Sequence, residues 1–437
     1  MAVEIELRMV EGNAFHDASK VAGKIISRVL RPHEWPSPGG MLQRLVELFM
    51  FSQANWRILA LVLMTALPYA ALGADEDARA KQLDAILAKA VTSGQPGLAV
   101  LVKKGGTVLF EKGYGLRRIK DRAPITPDTD FRLASVTKQF TAMSVMLLER
   151  DGKLRYESAL TEIFPEFPAY GKAITVRHLL THTSGLPDYE DLMDLEEKSH
   201  GKRWSPAHQI QDDEVLALLE KQTRGKFAPG TSWAYSNSGY VVLGLIVAKV
   251  SGVPYPEFLK LCIFDPLSMQ NTLAYQKRKN EIPHRAFGHS REHGKLVLSD
   301  QSSTSATLGD GGIYSNLEDL SKWDDALENH ALLPAAEMKA ALTPVKLADG
   351  HEPHWPAQPD GDNLAPGKPV SYGFGWFLDS YPGHRRIWHS GTTIGFRNVI
   401  ERFTVDHLTI VILCNRADFD PTALALKIAD LYLGNGK

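Results

Sequence analysis

Segments with strand character lie at both ends of the main part of the chain, and the stretch between them has helical character. Residues 98–115, LAVLVKKGGTVLFEKGYG, form two β-rich runs joined at Gly105-Gly106, which predicts a hairpin. Near the other end, short runs such as FRNVIERF and LTIVILCN predict further strands before a last helix, PTALALKIADLYL. The predicted fold class is therefore α/β (α+β): an antiparallel sheet flanked by helices, with a helical lobe inserted at about residues 150–330.

Three other segments complete the predicted organisation. Leu83, Ile86, Leu87 and Ala90 fall at helical spacing, so an amphipathic helix precedes the hairpin. The apolar run YVVLGLIVAKV predicts a buried core helix, because it is too short to cross a bilayer. The Pro- and Gly-rich residues 342–370 predict a long loop within the domain, since strands follow them.

Composition excludes several classes of protein. The chain has 437 residues, 23% of them charged, and a formal net charge of -2, so no basic field favours nucleic acid. The cysteines are Cys262 and Cys414; they form no CxxC pair and therefore predict neither a zinc site nor a disulfide framework. A single disulfide between them is possible, but the sequence does not establish it.

The segment Met50–Gly73 has the features of an export signal. Arg57 precedes an apolar run, and Ala71-Leu72-Gly73 follows it as a small-residue cleavage pattern. We expect residues 1–73 to be an extension with a signal peptide, residues 74–437 to be the functional domain, and translation to begin at Met41 or Met50. The protein would then be periplasmic or secreted; the alternative is an uncleaved segment that anchors it to a membrane.

The stretch FRLASVTKQF places Ser135 three residues before Lys138, at a predicted strand-to-helix junction. Residues i and i+3 share a helix face, and a helix N-terminus favours developing negative charge. Ser135 could therefore be a nucleophile with Lys138 as its base, or only a helix cap followed by a surface lysine. The spacing is weak evidence alone, because Ser199 and Lys202 repeat it in a polar run that predicts a solvated loop.

Two further elements follow in the chain: Tyr235-Ser236-Asn237, and then His389-Ser390-Gly391. An S-x-x-K, a Y-x-N and a [K/H]-[T/S]-G strand, in this order, are active-site elements of penicillin-recognising serine enzymes. The sequence resembles the class C β-lactamase-like serine hydrolases, and most closely their soluble DD-carboxypeptidase branch. The resemblance covers almost all of residues 74–437, including the landmarks ITVRHLLTHTSGLPD, GGIYSNLEDLSKW and YGFGWFL.

The tripeptide Tyr-Ser-Asn occurs a second time, at Tyr314-Ser315-Asn316. There Ser315 and Glu318 match a capping box at the start of a helix, which accounts for that copy. The copy at residues 235–237 has the family's spacing from Ser135 and its PG…YSN…GY frame. We therefore assign the site to residues 235–237.

The resemblance implies a role for each matching residue. Ser135 would form an acyl-enzyme, Lys138 would be its base or electrostatic partner, and Tyr235 would relay a proton. Asn237 would hold Lys138 and donate to the substrate amide. The backbone N–H groups of Ser135 and Thr392 would form the oxyanion hole. The remaining residues would line the strand side of the site: His389 and Ser390 would orient a substrate carboxylate, and Gly391 would give the substrate room.

His389 departs from the Lys that β-lactamases usually carry, and a partly charged His would anchor a carboxylate less strongly. This favours a peptidase, amidase or esterase, with a peptide or small-molecule substrate and no cofactor. A β-lactamase of the same fold and a non-catalytic penicillin-binding module remain alternatives. A metal hydrolase is a further alternative, because His178 and His182 have i, i+4 spacing, but no third ligand is evident. His289 is predicted to be a loop residue.

Overall fold

The computed structural model describes residues 76–354 and 369–433. Most of the described residues belong to one compact unit that begins at Arg79, and the fold described below is that of residues 76–354 and 369–433. The predicted signal segment Met50–Gly73 lies outside the described residues, as does part of the predicted loop at residues 342–370.

The strands fall into three groups along the chain. The first group lies before Ser135 and consists of β1 Leu98–Lys104, β2 Thr107–Tyr114, β3 Leu116–Arg118, β4 Ala123–Pro124 and β5 Phe131–Arg132. The middle of the chain adds β6 Leu273–Ala274, β7 His289–Glu292, β8 Lys295–Leu298 and β9 Ile313–Ser315. The last four are β10 Phe377–Tyr381, β11 His384–Thr393, β12 Phe396–Phe403 and β13 Leu408–Cys414.

Most of the helices lie between β5 and β10. The first, α1, spans residues 76–90. It is followed by α2 Lys138–Arg150, α3 Leu160–Ile163, α4 Val176–Leu180, α5 Tyr189–His200, α6 Asp212–Glu220, α7 Asn237–Ser251 and α8 Tyr255–Leu259. The last three are α9 Leu317–Glu328, α10 Ala335–Met338 and α11 Pro421–Leu433, and short 3-10 or π turns lie at Ala134–Thr137, Ala169–Ala173 and Lys260–Phe264.

The two ends of the chain build one antiparallel sheet, as the sequence predicts. Its strand order is β10-β11-β12-β13-β1-β2. The hairpin β1–β2 joins the C-terminal strands through β1 and β13, whose register runs from Leu98 opposite Cys414 to Lys104 opposite Leu408. Because β1 and β13 are central and covered on both faces, they are continuous apolar runs rather than alternating ones.

Each face of this sheet packs against helices. Leu98, Val100 and Val102 of β1 lie in a cluster with residues of α1 and α11, such as Leu87 and Ile428. The alternate residues Ala99 and Leu101 point to the other face and join the large core of the helical lobe. The prediction of a sheet flanked by helices is therefore confirmed.

Two buried helices cross the centre of the lobe. In α2, every residue from Lys138 to Leu148 is buried. In α7, most of the apolar run that follows Asn237 is buried, which confirms the predicted core helix. Among the described residues no single helix is long and apolar enough to cross a membrane, although the bent pair Asn237–Ser251 and Tyr255–Phe264 passes by length and composition.

The structure corrects two local predictions. His289 is a buried residue of strand β7, not a loop residue, and the region of the lobe therefore includes the hairpin β7–β8. Ser199 lies in the last turn of α5, where its hydroxyl donates to the Leu195 carbonyl, so this second S-x-x-K begins in a helix rather than in a loop.

Candidate active site

Ser135 lies in the short 3-10 turn between strand β5 and helix α2. The residue before it, Ala134, has φ +50, in the left-handed region that residues other than Gly seldom adopt. This turn is fixed from outside, because the Leu133 N–H donates to the Ile313 carbonyl of β9 at 2.8 Å. The chain therefore reverses sharply just before Ser135, which is half-buried at the start of the central helix.

Lys138 is fully buried and its ammonium group contacts the Ser135 side chain. Its Nζ lies 3.0 Å from Ser135 Oγ, 2.9 Å from Asn237 Oδ1 and 3.0 Å from the carbonyl oxygen of Asp310. The alternative of a surface lysine beside a helix cap is therefore wrong. Burial of the whole side chain removes water as a partner for its charge.

These contacts decide where a neutral Lys138 would direct its lone pair. The Asn237 amide oxygen and the Asp310 carbonyl oxygen can only accept hydrogen bonds. If Nζ loses its third proton, the two remaining N–H groups can stay on these oxygens. The free lone pair then faces Ser135 Oγ, which is the geometry that a base needs to take the hydroxyl proton.

The motif Tyr235-Ser236-Asn237 forms the N-terminus of helix α7. Ser236 is the N-cap, with its hydroxyl accepting from the Gly239 N–H at 3.1 Å, and Asn237 is the first helical residue. This places Tyr235 just before the helix, where its ring lies 4.8 Å from Lys138 Nζ. Helices α2 and α7 thus both begin at the site, so their positive dipole ends meet there.

The second Tyr-Ser-Asn differs by one residue in its capping. The N-cap of α9 is Asn316, which accepts from the Asp319 N–H, so the predicted capping box of Ser315 and Glu318 is wrong. Ser315 lies in strand β9 and Tyr314 is buried. The Asn316 side chain also donates to Asp130, so both of its polar groups serve the fold. In α7 the cap is Ser236, and the Asn237 side chain instead accepts from Lys138.

Strand β11 brings residues 389–393 to the same site. Pairing with β10 ends at Phe377 opposite Trp388, so within the described part of the chain these residues have no strand partner on that side. His389 lies opposite Ile400 and Ser390 opposite Val399, so their side chains point to opposite faces. Ser390 is half-buried and Thr392 exposed; the roles of the Ser390 side chain and the Thr392 N–H remain predictions.

The reason for glycine at position 391 differs from the predicted one. A Cβ atom there would lie 2.1 Å from the Leu133 carbonyl oxygen and 3.3 Å from a methyl group of Val136. The missing side chain therefore gives room to the segment that carries Ser135, and not to a substrate. It lets β11 approach the nucleophile turn directly.

His389 is neutral in the folded protein. It is 1% exposed, and burial together with the nearby Lys138 lowers its pKa to about 3. Its Nδ1 lies 2.7 Å from the Ser390 carbonyl oxygen, which can only accept, and its Nε2 lies 3.1 Å from the Tyr372 hydroxyl. Nδ1 is therefore the protonated nitrogen, and Tyr372 donates to Nε2. The partial positive charge expected of His389 near neutral pH is absent.

Three residues of the site were not found by sequence reasoning. Asp310 contributes its backbone carbonyl, and Tyr372, from the YGFGW landmark, contributes its hydroxyl to His389. Tyr189 lies beside them: its N–H donates to Ser238 and its hydroxyl lies 3.3 Å from an Asp310 carboxylate oxygen.

His178 and His182 are used by the fold as hydrogen-bond acceptors. Nδ1 of His178 accepts from the Thr175 N–H at the start of α4, and Nδ1 of His182 accepts from the Ser236 N–H. Within residues 76–354 and 369–433, no group of three or more His, Cys, Asp or Glu side chains is arranged to hold a metal ion. Cys262 and Cys414 are both free thiols.

The fold and the site define a class of protein: serine hydrolases with the β-lactamase fold. The sequence model of the beta-lactamase family matches residues 81–433, and the chain belongs to this family. Its relatives include a penicillin-binding protein of Bacillus subtilis, 33% identical over 331 residues, which cover 73% of this chain and 68% of the relative.

Solved structures agree with this assignment. A penicillin-binding protein from Bacillus halodurans is 26% identical, with a TM-score of 0.64 over 79% of this chain and 98% of that one. A D-amino acid amidase from Ochrobactrum anthropi has a TM-score of 0.65 over 82% of this chain and 97% of that one. Its identity is 24%, so the likeness to the amidase shows the fold alone.

Proposed function

We propose that this protein is an exported serine hydrolase that cleaves amide or peptide bonds through an acyl-enzyme on Ser135. The observation that carries the proposal is the contact of buried Lys138 with Ser135 Oγ at 3.0 Å, while Asn237 and Asp310 orient the other N–H groups. The similarity to penicillin-binding proteins makes a substrate of DD-carboxypeptidase type the first candidate, and penicillins would acylate the same serine.

In the proposed acylation step, Lys138 Nζ takes the hydroxyl proton while Ser135 Oγ bonds to the substrate carbonyl carbon. The negative charge moves to the carbonyl oxygen, which the N–H groups of Ser135 and Thr392 would stabilise at the helix start and on β11. Collapse breaks the C–N bond, and the leaving amine takes a proton through Tyr235. Water then releases the acid by the same steps in reverse.

Two features of His389 favour a substrate that has no carboxylate on this side of the site. His389 is neutral, so it supplies no positive charge for a carboxylate, which both penicillins and substrates of DD-carboxypeptidase type carry. The residue also has both ring nitrogens engaged, by Ser390 and Tyr372, and is fully covered by protein. An amidase or esterase with the same catalytic residues is therefore the second candidate.

Export is the part of the proposal that rests on sequence alone. The segment Met50–Gly73 combines an apolar run with a small-residue cleavage pattern. We infer cleavage after Gly73 and action outside the cytoplasm on a peptide or small molecule. N-terminal sequencing of the protein recovered from the producing cell tests this: a mature protein that still begins before residue 74 contradicts it.

The catalytic proposal is tested by intact mass spectrometry after mixing the protein with a labelled penicillin. We expect an adduct on the wild type and none on Ser135→Ala. Ser199→Ala is the matched control, because Ser199 also precedes a lysine by three residues but is exposed on α5. An adduct that persists in Ser135→Ala contradicts the proposal.

If penicillin gives no adduct, the same comparison is made with p-nitrophenyl esters and D-amino acid amides. Turnover that depends on Ser135 would select the second candidate. Equal turnover by the wild type and Ser135→Ala on every substrate would overturn both candidates.

A further inference from the structure

His182 makes three separate contacts with Tyr235 and its two chain neighbours. Its backbone carbonyl accepts from the Ala234 N–H, and its Nδ1 accepts from the Ser236 N–H, both at 3.0 Å. Its imidazole lies over the Tyr235 ring, with the ring centroids 4.3 Å apart and the planes tilted by 34°. The residues before and after Tyr235, and the ring itself, are therefore all held by this one residue.

Lys138 lies against the ring of Tyr235 as well. Its Nζ lies 4.8 Å from the centroid of the Tyr235 ring. The Tyr235 ring thus contacts both the ammonium group of Lys138 and the imidazole of His182, whose centroid is 4.3 Å away. A phenol that moves protons between Lys138 and a leaving group must keep its oxygen within hydrogen-bond reach of both. The orientation of the Tyr235 ring therefore decides whether its oxygen can reach both Lys138 and the leaving group.

Only the neutral form of His182 can make the Ser236 contact, because Nδ1 must carry a lone pair to accept. The side chain is fully buried, and burial together with Lys138 and His389 holds its pKa well below the usual value. The other rings packed around it belong to Trp233, Tyr240 and Tyr372. None of these neighbours is an acid that would favour an imidazolium.

His182 occupies this place at an energetic cost. Its φ is +61, in the left-handed region that residues other than Gly seldom adopt. Since Nδ1 accepts, Nε2 carries the hydrogen, and within the described part of the chain this buried N–H has no hydrogen-bond partner. Backbone strain of this kind persists only where the surrounding structure holds the residue in place. Here the strained conformation lets His182 make its contacts with residues 234–236.

We propose that His182 is a positioning residue that fixes the orientation of Tyr235 for proton transfer at Ser135. This inference rests on the proposed function, in which Tyr235 relays the proton. His182 does not touch the reacting atoms; it acts through the 234–236 backbone and the Tyr235 ring.

Two substitutions separate its contacts. In His182→Asn, the amide oxygen takes the place of Nδ1 and can still accept from Ser236, and Asn tolerates positive φ, but the ring contact is lost. In His182→Phe, the ring contact stays and the Ser236 N–H loses its acceptor. His178→Asn is the matched control, because His178 lies in the same RHLLTH segment and its imidazole accepts from the Thr175 N–H of the α4 cap.

The readout is the rate at which Ser135 is acylated, measured by mass spectrometry and corrected for the folded fraction at low temperature. We expect at least a tenfold loss in His182→Asn and in His182→Phe, and less than a twofold loss in His178→Asn. In a Tyr235→Phe background, the same His182 substitutions should change the rate by less than twofold, because the group that they position is gone.

Equal losses in the wild-type and Tyr235→Phe backgrounds would overturn the inference, as would wild-type acylation rates in both His182 variants. This failure is distinct from failure of the proposed function, in which the wild type itself forms no Ser135 adduct with any acyl donor. If one variant does not fold, the other carries the same comparison, since each removes a different contact.

Discussion

The α-carbon of Gly391 packs directly against the carbonyl of Leu133, so that a Cβ atom at residue 391 would come within 2.1 Å of that oxygen. This contact joins strand β11 to the turn that carries Ser135. The two N–H groups proposed for the oxyanion hole, those of Ser135 and Thr392, lie on either side of this contact. The spacing between them is therefore set by the absence of a side chain at residue 391.

Gly391→Ala should separate the strand from the nucleophile turn. Because the clash is with backbone, the strand must move, and overpacking of this kind costs about 1–3 kcal/mol. We expect kcat to fall at least a hundredfold, the size of effect seen when one oxyanion donor is lost. Gly239→Ala is the control: its Cβ would meet its nearest neighbour at 3.5 Å, and activity should be kept. Unchanged kcat in Gly391→Ala would contradict this account.

The sequence predicts the sheet, the central helices and the main site residues because these depend on apolar patterns and motif spacing. It does not predict that the Asp310 carbonyl accepts from Lys138, because every residue has a backbone carbonyl and only the fold brings this one to the lysine. The charge of His389 was also out of reach, because it depends on burial and on the nearby Lys138.

Local capping is a second limit. The two Tyr-Ser-Asn copies have identical residues, yet Ser236 caps one helix and Asn316 the other. The one-residue shift decides whether the Asn side chain is free to reach a lysine. The pattern S-x-x-E at Ser315 indicated the wrong cap, because Ser315 still pairs with β5 as part of strand β9. The helix therefore begins one residue later, with Asn316 as its cap.

Asn237→Asp should move the acid limb of the pH profile of kcat/KM to higher pH. A carboxylate at the place of Asn237 Oδ1, 2.9 Å from Nζ, favours the protonated form of Lys138 and raises its pKa. Less neutral base is then present at pH 7, so kcat/KM should fall there by at least tenfold and recover at alkaline pH. Asn237→Ser, which introduces no charge, should lower the profile without moving its acid limb. An acid limb at the wild-type position in Asn237→Asp would count against Lys138 as the base.

His389 makes stability depend on pH below neutrality. Its folded pKa is about 3 and its unfolded value is 6.5, so between these values the unfolded chain binds more protons than the native state. The stabilisation is therefore complete above pH 6.5 and is lost as the pH falls toward 3, with a slope of about 1.4 kcal/mol per pH unit. His182, whose pKa is also lowered, acts with the same sign.

Urea unfolding at a series of pH values measures this slope. His389→Gln should be less steep than the wild type between pH 6 and 4, although its stability at pH 7 is lower because the bond from Tyr372 is weakened. His208→Gln, at an exposed position, should leave the slope unchanged. An identical slope in His389→Gln and the wild type would show that His389 is not buried in its neutral form.

Lys103→Met should destabilise the fold without changing the chemistry of the site. Lys103 is a buried residue of β1, and its Nζ lies 2.6 Å from Asp325, 3.4 Å from Asp324 and 2.9 Å from the Ser321 carbonyl. Asp324 is itself 8% exposed, so loss of Lys103 removes part of the charge that compensates a buried carboxylate. Breaking a buried pair in this way costs about 3–5 kcal/mol.

Asp325→Asn is the matched substitution on the other side of the pair. The Asp325 side chain is 48% exposed and Lys103 keeps Asp324 as a partner, so the loss should stay below about 1 kcal/mol. Both variants should acylate at the wild-type rate once corrected for the folded fraction, because neither residue contacts the site. Equal losses of unfolding free energy in the two variants would mean that the charge of Asp324 is compensated by Arg402 alone, whose Nε lies 2.7 Å from it.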